Sequence, residues 1–246
     1  MTRDVGAVVL VLVGGAILRI SLGVTYLNYV KESLRPWLLL SGAVLVVLGL
    51  LTMLDIWRAS RSPAADDPAA GAVAADPAEA HEHAPPRAAW LLLLPVLAIF
   101  LVAPPALGAF SAERETAFVT APESGSEVPA LPAGDPVALS LGDYASRAVW
   151  DEGRSLSGRT VELTGFVSAA PGGGWYLTRL ALSCCAADAF ATKVTVLEPP
   201  YQPPVDTWVT ITGAWVPGGA TQSETAIPWV RAVEMAEVLA PTDPYE

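Results

Sequence analysis

Two long apolar stretches in the first sixty residues constrain this chain more than any other feature. Val5 to Val30 is apolar apart from Arg19 and a few small polar residues, and Trp37 to Trp57 carries a single charged residue. An α-helix needs about 20 such residues to cross the hydrocarbon layer of a membrane. The segment between them is short, so the sequence predicts an antiparallel hairpin of two membrane spans within residues 1–59, in contact with the lipid bilayer.

A third apolar run, from Ala88 to Phe110, is interrupted by three prolines, Pro95, Pro104 and Pro105. Membrane helices tolerate proline where the freed backbone groups find other partners. We therefore predict a third span at 88–110. A re-entrant or interfacial segment is the alternative, and it would place everything after it on the opposite side of the membrane.

The basic residues give the predicted orientation. If the chain has three spans, four basic residues share a side with the N-terminus: Arg3, Arg58, Arg61 and Arg87. Three basic residues lie on the other side: Lys31, Arg35 and Arg114. Cytoplasmic segments carry an excess of basic residues. The C-terminal domain is therefore expected on the extracytoplasmic side of the cell membrane.

Arg19 and two histidines are the polar features of the first ninety residues that invite a function. A charge inside a span is costly and suggests a functional or partner contact, whereas an arginine near a span end can extend its guanidinium to the headgroups. Residues 60–87 are rich in Ala, Pro, Asp and Glu, and we expect a disordered acidic linker. His81 and His83 in that linker offer weak metal ligation, and incidental histidines on a solvated chain are the alternative.

After a tether at 111–136, residues 137–246 are expected to form a soluble β domain. Ser140, followed three residues later by Asp143, predicts a helix from Leu141 to about Glu152. Five runs rich in β-branched and aromatic residues predict strands at Thr160–Ser168, Trp175–Leu182, Thr192–Leu197, Trp208–Val216 and Trp229–Val238. This all-β pattern with one flanking helix favours a five-stranded barrel of the OB type, with a five-stranded sandwich as the alternative.

Charge and residue types restrict the function of this domain. From Ser111 onward, seven basic residues stand against seventeen acidic ones, so nucleic acid is not an expected partner. The chain has no histidine after His83 to act as the base for a cysteine or serine nucleophile, and no glycine-rich phosphate loop of standard spacing. We therefore expect a protein that is not an enzyme.

The segment from Ser183 to Ala189 is the most unusual part of the domain, because it holds both cysteines of the chain, Cys184 and Cys185, and Asp188. Three roles are open for this segment. In a purely structural role, the cysteines are small buried residues and Asp188 caps a turn. As a redox pair, the thiols would form a strained vicinal disulfide, since adjacent Cα atoms lie about 3.8 Å apart. In a metal-binding role, the three residues would bind zinc or another soft or borderline ion, and a partner or substrate would complete the coordination shell of the ion.

The chain resembles the YcgQ-type membrane family, whose function is uncharacterised. The resemblance rests on Leu22 to Leu51 and on the strings VELTGFV, LSCCAADA and DTWVTITGAWV. It implies a membrane-anchored OB-like domain that is an accessory subunit of a polytopic permease, with a double-cysteine motif matching Cys184, Cys185 and Asp188. It also implies a histidine-rich linker, of which His81 and His83 are a sparse version.

Three functions follow as hypotheses. The first is a non-enzymatic accessory subunit of a permease or transport complex, with an unknown substrate. The second is a metal-binding or metal-trafficking membrane protein that uses the adjacent cysteines. The third is a thiol redox protein.

Overall fold

The computed structural model describes residues 2–61, 102, 104–122, 128–219 and 221–246. The chain forms two compact units, one from Met1–Tyr26 and Ser33–Pro104, the other from Leu27–Glu32 and Pro105–Glu246. Most of the predicted linker at 60–87 and of the predicted span at 88–110 lies outside the described residues.

The first unit contains the helices α1, Thr2–Leu22, and α2, Arg35–Arg61. Both are long and apolar enough to cross a membrane, by length and composition. They pack closely through glycine: a Cβ on Gly14 would lie 2.8 Å from the carbonyl oxygen of Gly42, and one on Gly49 would lie 2.7 Å from Cγ2 of Val11. Small residues of this kind let membrane helices approach each other, while most of the large apolar side chains of α2 are exposed.

The first apolar helix is shorter than the predicted span, because it ends at Leu22 and not at Val30. Short 3₁₀ turns follow at Thr25–Asn28 and Glu32–Leu34. Between these turns, the backbone of residues 28–31 forms hydrogen bonds with distant parts of the second unit. Those bonds replace the ones that a continued helix would have made.

In its described residues, the second unit contains two further α-helices and a sheet of six strands. The helices are α3, Ala109–Ala112, and α4, Leu141–Trp150. The strands are β1, Val137–Leu139; β2, Thr160–Ala169; β3, Trp175–Ala181; β4, Phe190–Leu197; β5, Trp208–Val216; and β6, Trp229–Glu237.

The sheet is mixed, with the order β1-β2-β3-β4-β6-β5. Strand β2 also pairs with β5, so the pairing returns from the last strand in the order to the second. The β1–β2 and β4–β6 pairs are parallel and the others antiparallel. The prediction of five strands was therefore one short, since β1 has three residues, too few for an alternating pattern to stand out.

The core of this unit lies between α4 and the sheet. Val161 and Leu163 of β2 and Val209 and Ile211 of β5 are fully buried and alternate with less buried residues, as expected for strands with one face against a core. Tyr144 of α4 is also fully buried and donates its hydroxyl hydrogen to the carbonyl oxygen of Trp229, at 2.6 Å.

Residues before β1 add to this packing. Val119 is fully buried, and the backbone N–H of Phe118 donates to the carbonyl oxygen of Ala191 in β4, at 2.8 Å. Helix α3 is held by Asp206, whose carboxylate accepts a hydrogen bond from the N–H of Ala109 at 2.6 Å. The sheet is therefore covered partly by α4 and partly by residues 105–119.

Candidate metal site

The unusual Ser183–Ala189 segment connects β3 to β4 at the surface of the second unit. A single 3₁₀ turn, Ala186–Asp188, forms its centre, and Cys185 precedes this turn in extended conformation. The carboxylate of Asp188 accepts hydrogen bonds from the N–H groups of Ser183 and Cys184, each at 2.9 Å. One side chain thereby fixes the path of the backbone through both cysteines.

The same carboxylate brings the chemistry of the segment together. The thiol of Cys184 donates to Oδ2 of Asp188 at 2.8 Å. The two sulfur atoms and a carboxylate oxygen of Asp188 all lie within 4.8 Å of one another. Cys184 is exposed and Cys185 is half-buried, and both are free thiols. The three residues singled out by their spacing in the sequence therefore meet at one point of the surface.

Hydrogen bonding sets the ionisation of this group. The bond from the Cys184 thiol to Asp188, together with the neighbouring Cys185, raises the pKa of Cys184 to about 11. The same bond, helped by the backbone N–H groups, lowers the pKa of Asp188. At neutral pH the arrangement is a protonated thiol beside an ionised carboxylate.

Residues 29–31 pair with the cysteine segment like a short extra strand. The N–H of Ala186 donates to the carbonyl oxygen of Tyr29 at 2.7 Å, and the N–H of Lys31 donates to that of Cys184 at 3.2 Å. Val30 and Cys185 face each other as an antiparallel bridge. No sequence signal pointed to this pairing, because the segment was assigned to the end of a membrane span and the start of a loop.

None of the other candidate residues belongs to the group of three among the residues that the structure describes. Arg179 of β3, two residues before the end of that strand, is buried and lies 3.4 Å from Glu246, over the ring of Trp208. Arg19 lies in the last turn of α1, in the first unit, with its side chain exposed. The histidines, His81 and His83, lie outside the described residues.

Comparison with known families gives one match. Residues 147–246 match a family model described as the DUF1980 C-terminal domain. The matched region starts within α4 and covers β2 to β6, including the cysteine segment, and it is consistent with an uncharacterised family. Neither the curated proteins nor the solved structures gave a match.

Proposed function

We propose that the chain is a non-enzymatic, membrane-anchored accessory subunit of a transport complex, and that it binds a soft or borderline metal ion, such as zinc, through Cys184, Cys185 and Asp188. One observation carries the metal part: two sulfur atoms and a carboxylate oxygen lie within 4.8 Å of one another on an exposed segment. Thiolate and carboxylate are both ligands that zinc accepts.

An incomplete coordination shell is expected of a site that transfers its metal ion to a partner. Structural zinc sites have four protein ligands, whereas sites with three leave a position for another group. The described residues bring three ligands together, and the exposure of Cys184 leaves room for a group from a partner or for the cargo itself. This arrangement supports metal handling better than a permanent structural site.

The thiol redox hypothesis receives less support from the same geometry. Reactive cysteines have a lowered pKa, since the thiolate is the nucleophile. The carboxylate of Asp188 raises the pKa of Cys184 instead, to about 11. A metal ion overcomes this, because it binds the thiolate and displaces the proton.

The architecture supports the accessory-subunit part. We infer an OB-type barrel, because β2 pairs with both β3 and β5 and the pairing closes through the parallel β4–β6 pair. In the first unit, glycines occupy the contact between α1 and α2, and the large apolar side chains of α2 remain exposed. Such a surface suits lipid and the helices of a polytopic permease.

Zinc titration of the full-length chain in detergent, under reducing conditions and against a competing chelating dye, tests the metal proposal. We expect roughly one tight site per chain. Cys184→Ser and Cys185→Ser should each weaken binding at least about tenfold, and Asp188→Asn should weaken it as well. Ser183→Ala is the matched control, since the bond from this residue to Asp188 comes from its backbone.

The linker histidines provide a second control. The proposal does not need them, so replacing His81 and His83 together with alanine should leave the zinc affinity unchanged. A folded wild-type chain that takes up no zinc would contradict the proposal. So would a double cysteine variant that binds zinc as tightly as wild type.

The transport part has its own test, which is purification of the tagged chain from its native membrane in mild detergent. We expect the same polytopic membrane protein in comparable amount in repeated preparations. Recovery of the chain without any polytopic partner under every growth condition would contradict this part and leave the metal proposal standing.

A further inference from the structure

The segment between the two apolar helices belongs, by its contacts, to the β domain. Leu27–Glu32 groups with Pro105–Glu246 in one compact unit. Its pairing with the cysteine segment, at 2.7 and 3.2 Å, is one fastening. A second lies at Asn28, whose carbonyl oxygen accepts a hydrogen bond from the hydroxyl of Tyr245 at 3.1 Å.

Further contacts fix the segment in place. The ammonium group of Lys31 donates to the carbonyl oxygen of Leu182 at 3.4 Å. The hydroxyl of Tyr245 also accepts a bond from the N–H of Leu107, at 2.9 Å. Leu27 is buried. The segment is thus held through backbone and side chains, at two separate places of the domain.

These contacts bear on membrane topology. In the chain, the segment follows α1 and precedes α2, both of which are long and apolar enough to span. If both span, residues 27–32 emerge on the side opposite the N-terminus. A hydrogen bond cannot reach across a hydrocarbon layer about 30 Å thick. Whatever pairs with these residues must lie on their side.

We propose that the β domain, with the candidate metal site, lies on the same side of the membrane as residues 27–32, opposite the end of α2 at Arg61. The inference rests on the membrane part of the proposed function but not on metal binding. It requires an odd number of crossings between Arg61 and Pro105. The third span predicted from the sequence supplies one, provided that it ends before Leu107 and Ala109, which bond to the domain. A re-entrant segment there would put the domain on the wrong side for its contacts.

The count of four basic residues against three, given above for three spans, favours one compartment over the other. Arg58 and Arg61 lie in the last turn of α2, and by the positive-inside rule this end faces the cytoplasm. The cysteine segment then faces the extracytoplasmic side. A metal ion would be taken up or released there, before or after its passage through the membrane.

Site-directed labelling of the full-length chain in intact cells tests the sidedness. In a background with both cysteines replaced by serine, single cysteines are introduced at Ser33, Ser157 and Ser60, which are exposed positions after the segment, in the domain and at the end of α2. We expect an impermeant maleimide to label Ser33→Cys and Ser157→Cys from outside, and Ser60→Cys only after permeabilisation. If the reagent labels Ser157→Cys and Ser60→Cys from the same side of the membrane, the proposal is overturned. Labelling of Ser33→Cys and Ser60→Cys from the same side would overturn it as well.

A cross-link tests the contact itself without removing Cys185. Opposed residues of an antiparallel pair have Cα atoms about 4.5–5.5 Å apart, within the disulfide range of about 4.4–6.8 Å. With Cys184 replaced by serine, Val30→Cys should form a disulfide with Cys185 when membranes are treated with diamide, detected as a linked peptide by mass spectrometry. Ser33→Cys is the control and should give at least fivefold less.

Equal cross-linking of Val30→Cys and Ser33→Cys would overturn the contact, and with it the sidedness argument. The zinc titration separates this failure from that of the proposed function. Loss of the contact with zinc binding intact contradicts only the topology, and absent zinc binding with the expected labelling contradicts only the metal site.

Discussion

Among single residues, Asp188 has two effects on the cysteine segment: it fixes the backbone, and it keeps the thiol of Cys184 protonated. Its carboxylate accepts hydrogen bonds from the backbone of Ser183 and Cys184 and from the thiol of Cys184. The bond from the thiol keeps the proton on sulfur, since loss of the proton would put a thiolate beside a carboxylate. Metal binding must release this proton, so the metal affinity should rise with pH.

Asp188→Asn tests this electrostatic account. The neutral amide no longer opposes the thiolate, so the pKa of Cys184 should fall from about 11 toward the ordinary cysteine range. In a Cys185→Ser background, alkylation of Cys184 by iodoacetamide at pH 8 should become roughly tenfold faster, because the larger thiolate fraction outweighs its lower nucleophilicity.

Glu234→Gln is the control for this alkylation test, because it removes an exposed acidic charge from β6. Its rate should equal that of the parent. If Asp188→Asn also reacts at the parent rate, the carboxylate does not set the ionisation of Cys184.

At the scale of secondary-structure elements, the pairing of β5 with β6 depends on Gly213. The strands change register beside this residue, between Thr212 and Gly213. A Cβ at Gly213 would overlap the carbonyl oxygen of Arg231 in β6. That oxygen belongs to backbone held in the sheet and cannot move away at low cost.

Gly213→Ala should therefore lower the free energy of unfolding of the β domain by about 1–3 kcal/mol. The measurement is urea unfolding of the full-length chain in detergent, followed by tryptophan fluorescence. Gly142→Ala is the matched control: it lies in α4, its Cβ would be 3.4 Å from Glu246, and alanine favours a helix. Equal stability of both variants would contradict this view of the β5–β6 contact.

Local patterns predicted most of these elements from the sequence. Ser140 caps α4 as expected, accepting a hydrogen bond from the N–H of Asp143 at 3.0 Å, and the last five strands lie within a few residues of their predicted positions. The end of α1 was missed because hydropathy alone does not distinguish an apolar helix from an apolar segment that pairs elsewhere. Tyr29 and Val30 find their partners about 155 residues further along the chain, and no local pattern contains that information.

At the scale of the whole molecule, the sequence predicted the division into apolar helices and a β domain with one flanking helix. It also predicted the candidate site, because Cys184, Cys185 and Asp188 lie within one turn of chain. The sixth strand and the pairing of residues 28–31 with the domain required the structure. The family match at 147–246 covers the site but neither α1 nor α2.

We propose that two thiolates and one carboxylate of this chain bind a metal ion. X-ray absorption at the zinc edge of the zinc-loaded, full-length chain tests it most directly, because sulfur at about 2.3 Å is distinguishable from oxygen or nitrogen at about 2.0–2.2 Å. We expect two sulfur ligands, from Cys184 and Cys185, with oxygen or nitrogen in the remaining positions. A zinc shell without sulfur would contradict it.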